Sequence, residues 1–217
     1  MKNAKGLGSL FVLALVLTLA ASISGCAVAH LPTPTPRGLV LDLAEAEQKG
    51  LVQADITGRD LDWIDLVLES LTPDPLEVTI PIGTLFEAQS SRTQNMVVIQ
   101  ATTVFLEARG SVEAVVVQVA CASMQLHIPD EEDQFTISRE PVPDDLLKLL
   151  NLAEFQDVGS FVQQFAVWTI TDNPPRDGYR GLGYFGVGYP PDEEEMAEIR
   201  ALFEEAGIPT ENYQALR

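Results

Sequence analysis

Between Leu51 and Met124, apolar and polar residues alternate in short runs: "LVQADITG", "DWIDLVLES", "LEVTI", "GTLFEA", "NMVVIQATTVFLEA" and "EAVVVQVACASM". Each run is rich in Val, Ile, Thr or Phe, and Gly, Pro or Asp turns divide them. That is the pattern of half-buried strands. Residues 51–126 hold roughly seven such strands. No helix-length segment separates them, so antiparallel pairing in a sandwich or barrel is expected over parallel β-α-β units.

The period changes on both sides of this region. "VLDLAEAEQKG" at 40–50 predicts a short helix ending at Gly50. After "HIPDEEDQ" the chain reads as helical. "VPDDLLKLLNLAEF" has Pro143 and Asp144 at a helix start, and "SFVQQFAVWTITDN" is a second helix stopped by "DNPP". "PPRDGYRGLGYFGVGYPP" is a loop without the strand and helix context of a phosphate cradle. In "PPDEEEMAEIRALFEEAGI", Asp192 and Glu195 form a capping box, Met196, Ile199, Leu202 and Phe203 repeat at helical spacing, and Gly207 ends the helix. "TENYQALR" is expected to add one more turn. The expected fold class is therefore α+β: an antiparallel β-sandwich, residues 39–128 with a short N-terminal helix, followed by a helical C-terminal region, 129–217, packed on it.

The first residues belong to neither part. Lys2 and Lys5 precede the uncharged apolar run "LGSLFVLALVLTLA", and "SISGC" follows with small residues. This is an export leader over residues 1–25, and its apolar run is short for a membrane span of ~20 residues. "ISGC" resembles the lipobox of bacterial lipoproteins, with Ile23 where leucine is more usual. The resemblance implies that Cys26 is lipidated and becomes the new N-terminus, anchoring the protein to the cell membrane or outer membrane on its extracytoplasmic side. Ala27 after the cysteine leans toward the outer membrane by that family's sorting habit. "AVAHLPTPTPRG" completes a Pro/Thr-rich tether over residues 26–38, with His30 as a solvated linker residue.

Charge narrows the partners. The whole chain carries 13 basic and 32 acidic residues, a net charge of −19, and losing Lys2 and Lys5 with the leader takes the mature chain to −21. The scarcity of Lys and Arg argues against nucleic acid and anionic lipid surfaces as partners. The remaining partners are the membrane, through the lipid anchor, and an unidentified envelope protein or surface ligand. The acidic stretches Asp192–Glu195 and "DEEDQ" at 130–134 read as a helix N-terminus and a solvated loop. The latter lacks the Asp/Asn/Gly pattern of a calcium loop. No metal or cofactor is expected. There is no G-x-S-x-G, no H-E-x-x-H and no paired Cys/His spacing.

Cys121 has no partner cysteine once Cys26 carries lipid. On a helix over 161–171, Phe161, Phe165 and Trp168 form one stripe with Val162 beside it. Gln163 is then expected to face water, and Gln164 to sit half buried beside Trp168. A buried amide needs hydrogen-bond partners or costs a few kcal/mol. "QQFAVW" at 163–168 and "ACASMQLHIP" at 120–129 resemble the Thr-Gln-x-Ala-x-Trp and cysteine segments of the thioester domains of bacterial surface adhesins. Gln163 stands in the place of the motif's threonine and Ala120 in that of the aromatic before the cysteine. The resemblance implies that Cys121 and Gln164 form a thioester for covalent attachment. The alternative is that Cys121 is a small buried hydrophobe on a strand and Gln164 caps a strand or loop backbone group.

The leading expectation is a lipid-anchored envelope protein with a non-catalytic binding or structural role. A thioester-bearing adhesin is second. A hydrolase with acidic catalytic residues is third, with no carboxylate pair singled out.

Overall fold

The computed structural model describes residues 38–179 and 190–217. The expected leader over 1–25, Cys26, the expected tether up to Arg37 and most of the Gly/Tyr-rich stretch, 180–189, lie outside the described residues.

Seven strands fall within the expected region: β2 (Val52–Gly58), β3 (Trp63–Ser70), β4 (Leu76–Ile80), β5 (Leu85–Ala88), β6 (Asn95–Val98), β7 (Thr102–Leu106) and β8 (Val112–Ala122). Two more were not expected. β1 (Leu39–Asp42) occupies the start of the segment read as helix, and α1 is confined to Leu43–Gln48. The reason is pairing: Leu39–Asp42 lie parallel to Leu76–Thr79 of β4. Asp42 ends the strand and caps the helix, its Oδ1 accepting from the Glu45 N–H at 2.7 Å. β9 (Phe135–Ile137) follows the acidic loop and pairs with β5. Three residues are too few for alternation to stand out in a sequence.

The α+β class and the mainly antiparallel pairing are present. The strands are arranged as a six-stranded sheet in the order β2-β3-β8-β6-β5-β9 and a three-stranded sheet in the order β1-β4-β7. The larger sheet nearly closes on itself. Its two ends meet where Thr57 bridges Gln134 and the Gly58 N–H donates to Asp133 O at 2.9 Å. This barrel-like closure was not separated from a sandwich by the sequence pattern, since both use the same alternation. Leu76, Val78 and Ile80 of β4 join Ile64, Leu66 and Leu68 of β3 in one buried core.

The helices follow. The expected helix over 143–155 is two: α2 (Asp144–Leu150) and α3 (Ala153–Asp157). α4 runs Ser160–Thr171 and α5 Glu193–Glu205. α5 carries the expected capping box, with Asp192 accepting from the Glu194 and Glu195 N–H groups and Glu195 reaching back to the Asp192 N–H. Gly207, at φ +68°, follows its end, as an αL stop requires. Two short 3₁₀ turns, Thr210–Asn212 and Gln214–Leu216, complete the chain.

α4 packs on β8 and also meets α2 and α5. Every residue from Val162 to Ile170 is buried as a result. The expected stripe is corrected here. Phe161 is 40 % exposed, whereas Gln163, expected in water, is 5 % exposed. A projection with one apolar face fails for a helix covered on several sides.

Candidate functional site

β8 is the longest strand and changes partner along its length. Residues 112–118 pair with Trp63–Glu69 of β3, and residues 119–122 pair with Asn95–Val98 of β6. The β3 ladder stops at Trp63, and one further bond, from the Val119 N–H to Asp62 O at 2.9 Å, extends that side. The next backbone groups facing that side belong to Cys121, and no strand reaches them.

Gln164 takes the place of the missing strand. Its Oε1 accepts from the Cys121 N–H at 2.8 Å, and its Nε2 donates to Cys121 O at 2.8 Å. One side-chain amide thus makes both bonds that a neighbouring strand residue would make. Cys121 is 0 % and Gln164 1 % exposed, so water is not available to either group. Leaving either backbone group unpaired would cost roughly 1–3 kcal/mol. This is why a glutamine sits in an apolar helix.

Two further contacts hold α4 in the same place. The Trp168 indole N–H donates to Gln94 Oε1 at 3.1 Å. Asp172, at the C-terminal cap of α4, accepts from the Met124 N–H at 2.9 Å and the Ser123 N–H at 3.3 Å. Ser123, with φ 95°, is where β8 ends. Gln164, Trp168 and Asp172 are spaced four apart and share one helical face. Sequence reasoning read Asp172 only as part of a helix stop and passed over Gln94. The i, i+4, i+8 spacing of three hydrogen-bonding side chains was the available signal. Gln163 has its own partner, donating through Nε2 to Phe155 O at 2.7 Å. On another side of α4, Thr169 Oγ1 and the Tyr179 hydroxyl lie 2.7 Å apart. The Tyr179 ring stands edge-on to Phe165, with centroids 5.3 Å apart. Burial pushes the Tyr179 hydroxyl up to about 12.

The Cys121 sulfur has different neighbours from its backbone. Sγ lies 3.4 Å from Met96 Sδ and 3.8 Å from Leu61 O. Burial, and then the Asp62 and Asp60 carboxylates, push the thiol well above the usual cysteine range. A thiolate, the nucleophilic form, is therefore disfavoured. Burial and Asp60 also push Asp62 up. Asp60 is occupied by its own turn, its Oδ1 accepting from the Asp62 and Trp63 N–H groups at 2.9 Å each.

The structure thus brings Cys121 and Gln164 together, as the thioester resemblance required, but joins them through backbone and amide. Cys26 lies outside the described residues. The acidic loop is self-capped. Asp133 accepts from the Asp130 N–H at 3.1 Å and from the Thr93 hydroxyl at 2.6 Å. Among the described residues no group of three His, Cys, Asp or Glu side chains is placed to hold a metal ion. Two open clefts, one between α1 and β9 and one between the starts of α4 and α5, are lined by neither Cys121 nor Gln164. No known protein family, curated protein or solved structure matches the chain.

Proposed function

We propose that the chain is a lipid-anchored extracytoplasmic protein whose folded part binds a partner at the cell envelope, or braces one, without turnover. The leader, the lipobox-like "ISGC" and the Pro/Thr tether support the anchoring half of this reading. One observation carries the other half: the Gln164 amide makes two hydrogen bonds to the Cys121 backbone. The pair with the most chemical potential in the sequence is thereby engaged in fixing α4 to β8. In this reading the three-stranded sheet is the second layer of a distorted sandwich, since its inner residues share the core of the larger sheet.

The test of anchoring is mass and partitioning. Expressed in a bacterial host, the wild-type chain should lose residues 1–25, gain the mass of the lipid at Cys26 and enter the detergent phase. Cys26→Ala should do none of these. Recovery of both proteins unmodified would refute the anchor.

A second reading keeps the thioester, favoured by the proximity of Cys121 and Gln164. The sulfur would turn from Met96 toward the amide and attack its carbonyl carbon. The C–N bond would break, and the thiol proton would leave with the nitrogen as ammonia. The two amide bonds to the strand would be altered in the same step. A mature protein lighter by one ammonia, which methylamine converts to the N-methyl amide, one methylene heavier than the unreacted chain, with release of the thiol, would establish this reading. A full-mass protein would remove it.

A further inference from the structure

We propose that the outer face of β2, β3 and β8 docks a polypeptide segment that presents lysine or arginine beside apolar side chains. The inference names a surface and a partner chemistry for the binding reading above, and it rests on that reading.

Side chains alternate between the two faces of these strands. Ile64, Leu66 and Leu68 of β3 point into the core, and so does Val117 of β8. Trp63 and Val67 therefore point outward, as do Val112, Ala114 and Val116. They are open: Val112 is 54 % exposed, Val67 and Val116 41 % each, and Trp63 39 %. The register makes them one patch. Val67 lies opposite Ala114, so it is diagonal to both Val112 and Val116. Trp63 lies opposite Gln118 and is diagonal to Val116. The outer face of the three-stranded sheet has no such continuity, because Glu77 stands between Val40 and Phe105 in the same row.

Single exposed valines need no explanation, but a contiguous apolar patch rimmed by polar residues marks an interaction site. An exposed tryptophan is the commonest kind of anchor in such a site. Charge selects the occupant. Each outward valine faces a carboxylate across the ladder: Val112 faces Glu69, Val116 faces Asp65, and Val67 faces Asp55 of β2. Arg59 pairs with Asp65 at 3.3 Å. Among the described residues, no lysine or arginine pairs with Asp55 or Glu69. A segment that carries a cation next to an apolar side chain meets both needs at once. A second copy of this chain would bring the same carboxylates and a net charge of −19, so it is repelled. From Trp63 to Glu69 and across three strands the patch measures about 20 Å by 10 Å. That is the footprint of a weak, transient contact rather than of a permanent interface.

The experiment uses the full-length chain in nonionic detergent. The probe is an end-blocked hexapeptide of alternating lysine and valine. One control alternates glutamate and valine, and a second alternates lysine and serine. The chain has two tryptophans, and Trp168 is fully buried, so a change in emission on titration reports Trp63. The lysine–valine peptide should bind saturably, at least ~10-fold tighter than either control. Trp63→Phe should abolish the spectral change. Val67→Lys should weaken binding by about 10-fold, whereas Phe105→Lys, the same charge change on the other sheet, should leave it unaltered. Asp55→Asn with Glu69→Gln keeps the shape of the face; it should weaken binding and remove most of its dependence on salt.

No saturable binding, equal binding of the lysine–serine peptide, or a spectral change that survives Trp63→Phe would overturn the proposal. So would an equal effect of Phe105→Lys, which would reduce the attraction to net charge. A concentration-dependent dimer lost in Val67→Lys would make the occupant a second copy and overturn it too. None of these results bears on lipid at Cys26, and an unlipidated chain would leave the peptide result standing.

Discussion

Gln164→Met keeps the approximate length and volume of the side chain and removes both of its bonds to Cys121. The two orphaned groups, one N–H and one C=O, lie on a residue that is 0 % exposed. Each costs roughly 1–3 kcal/mol when left unpaired, so the loss is about 2–6 kcal/mol. Replacing an amide by a thioether in the core returns about 1 kcal/mol of apolar burial. The net expectation is a loss of about 1–5 kcal/mol, a large share of the ~5–15 kcal/mol available to a typical domain. Gln163→Met provides the scale. It removes the one bond from Gln163 Nε2 to Phe155 O and should cost less than half as much. Urea unfolding of residues 27–217 measures both. The midpoint should fall with an unchanged slope, because the surface exposed on unfolding is the same. Amide exchange at Cys121 should accelerate by at least the factor that corresponds to the stability change. A loss under about 0.5 kcal/mol for Gln164→Met, or a larger loss for Gln163→Met, would refute the view that Gln164 substitutes for a strand.

Three other outcomes follow from the same geometry. The Cys121 thiol should resist a disulfide reagent in the native protein at neutral pH and titrate fully once denatured; rapid native labelling would contradict its burial and raised pKa. Asp192→Ala breaks the α5 capping box and should cost about 1 kcal/mol in the same unfolding assay, with no cost if the cap is dispensable. Gln164→Glu should make stability depend on pH: the protonated carboxyl can still donate to Cys121 O and accept from its N–H, whereas the buried carboxylate cannot donate. Its folded pKa then lies above the unfolded value of about 4.3, so stability is complete below that value and falls as pH rises toward the folded pKa, by up to ~1.4 kcal/mol per pH unit relative to wild type. A flat difference between variant and wild type from pH 4 to pH 7 would contradict this.

What the sequence revealed depended on the range of the interactions. Local signals read well. Seven strands appear where alternation placed them, and the α5 cap, its apolar stripe and Gly207 are as written in "DEEEMAEIRALFEEAG". Tertiary choices did not read. Leu39–Asp42 has helix-compatible residues and becomes a strand because β4 offers it a parallel partner. The closure of β2 onto the β9 end rests on Thr57, Gly58, Asp133 and Gln134, none of which carries a signal of its own. Gln163 was misplaced because a helical projection assumes one covered face, and α4 is covered by β8, α2 and α5. For the site, the chemistry of a buried amide singled out Gln164 without any structure, but its partner could be narrowed no further than the thiol or a backbone group.

The two ends of β8 pose the same physical problem and meet it differently. An edge strand leaves every second N–H and C=O unpaired. At Cys121 those groups are buried, so a dedicated side chain reaches in from α4, and Asp172 continues the work at Ser123 and Met124. At Val112, Ala114 and Val116 the strand is exposed and flanked by β7, so no dedicated side chain is needed. Burial makes the first cap obligatory, which is why its removal should be costly. Exposure at the other end imposes no such requirement.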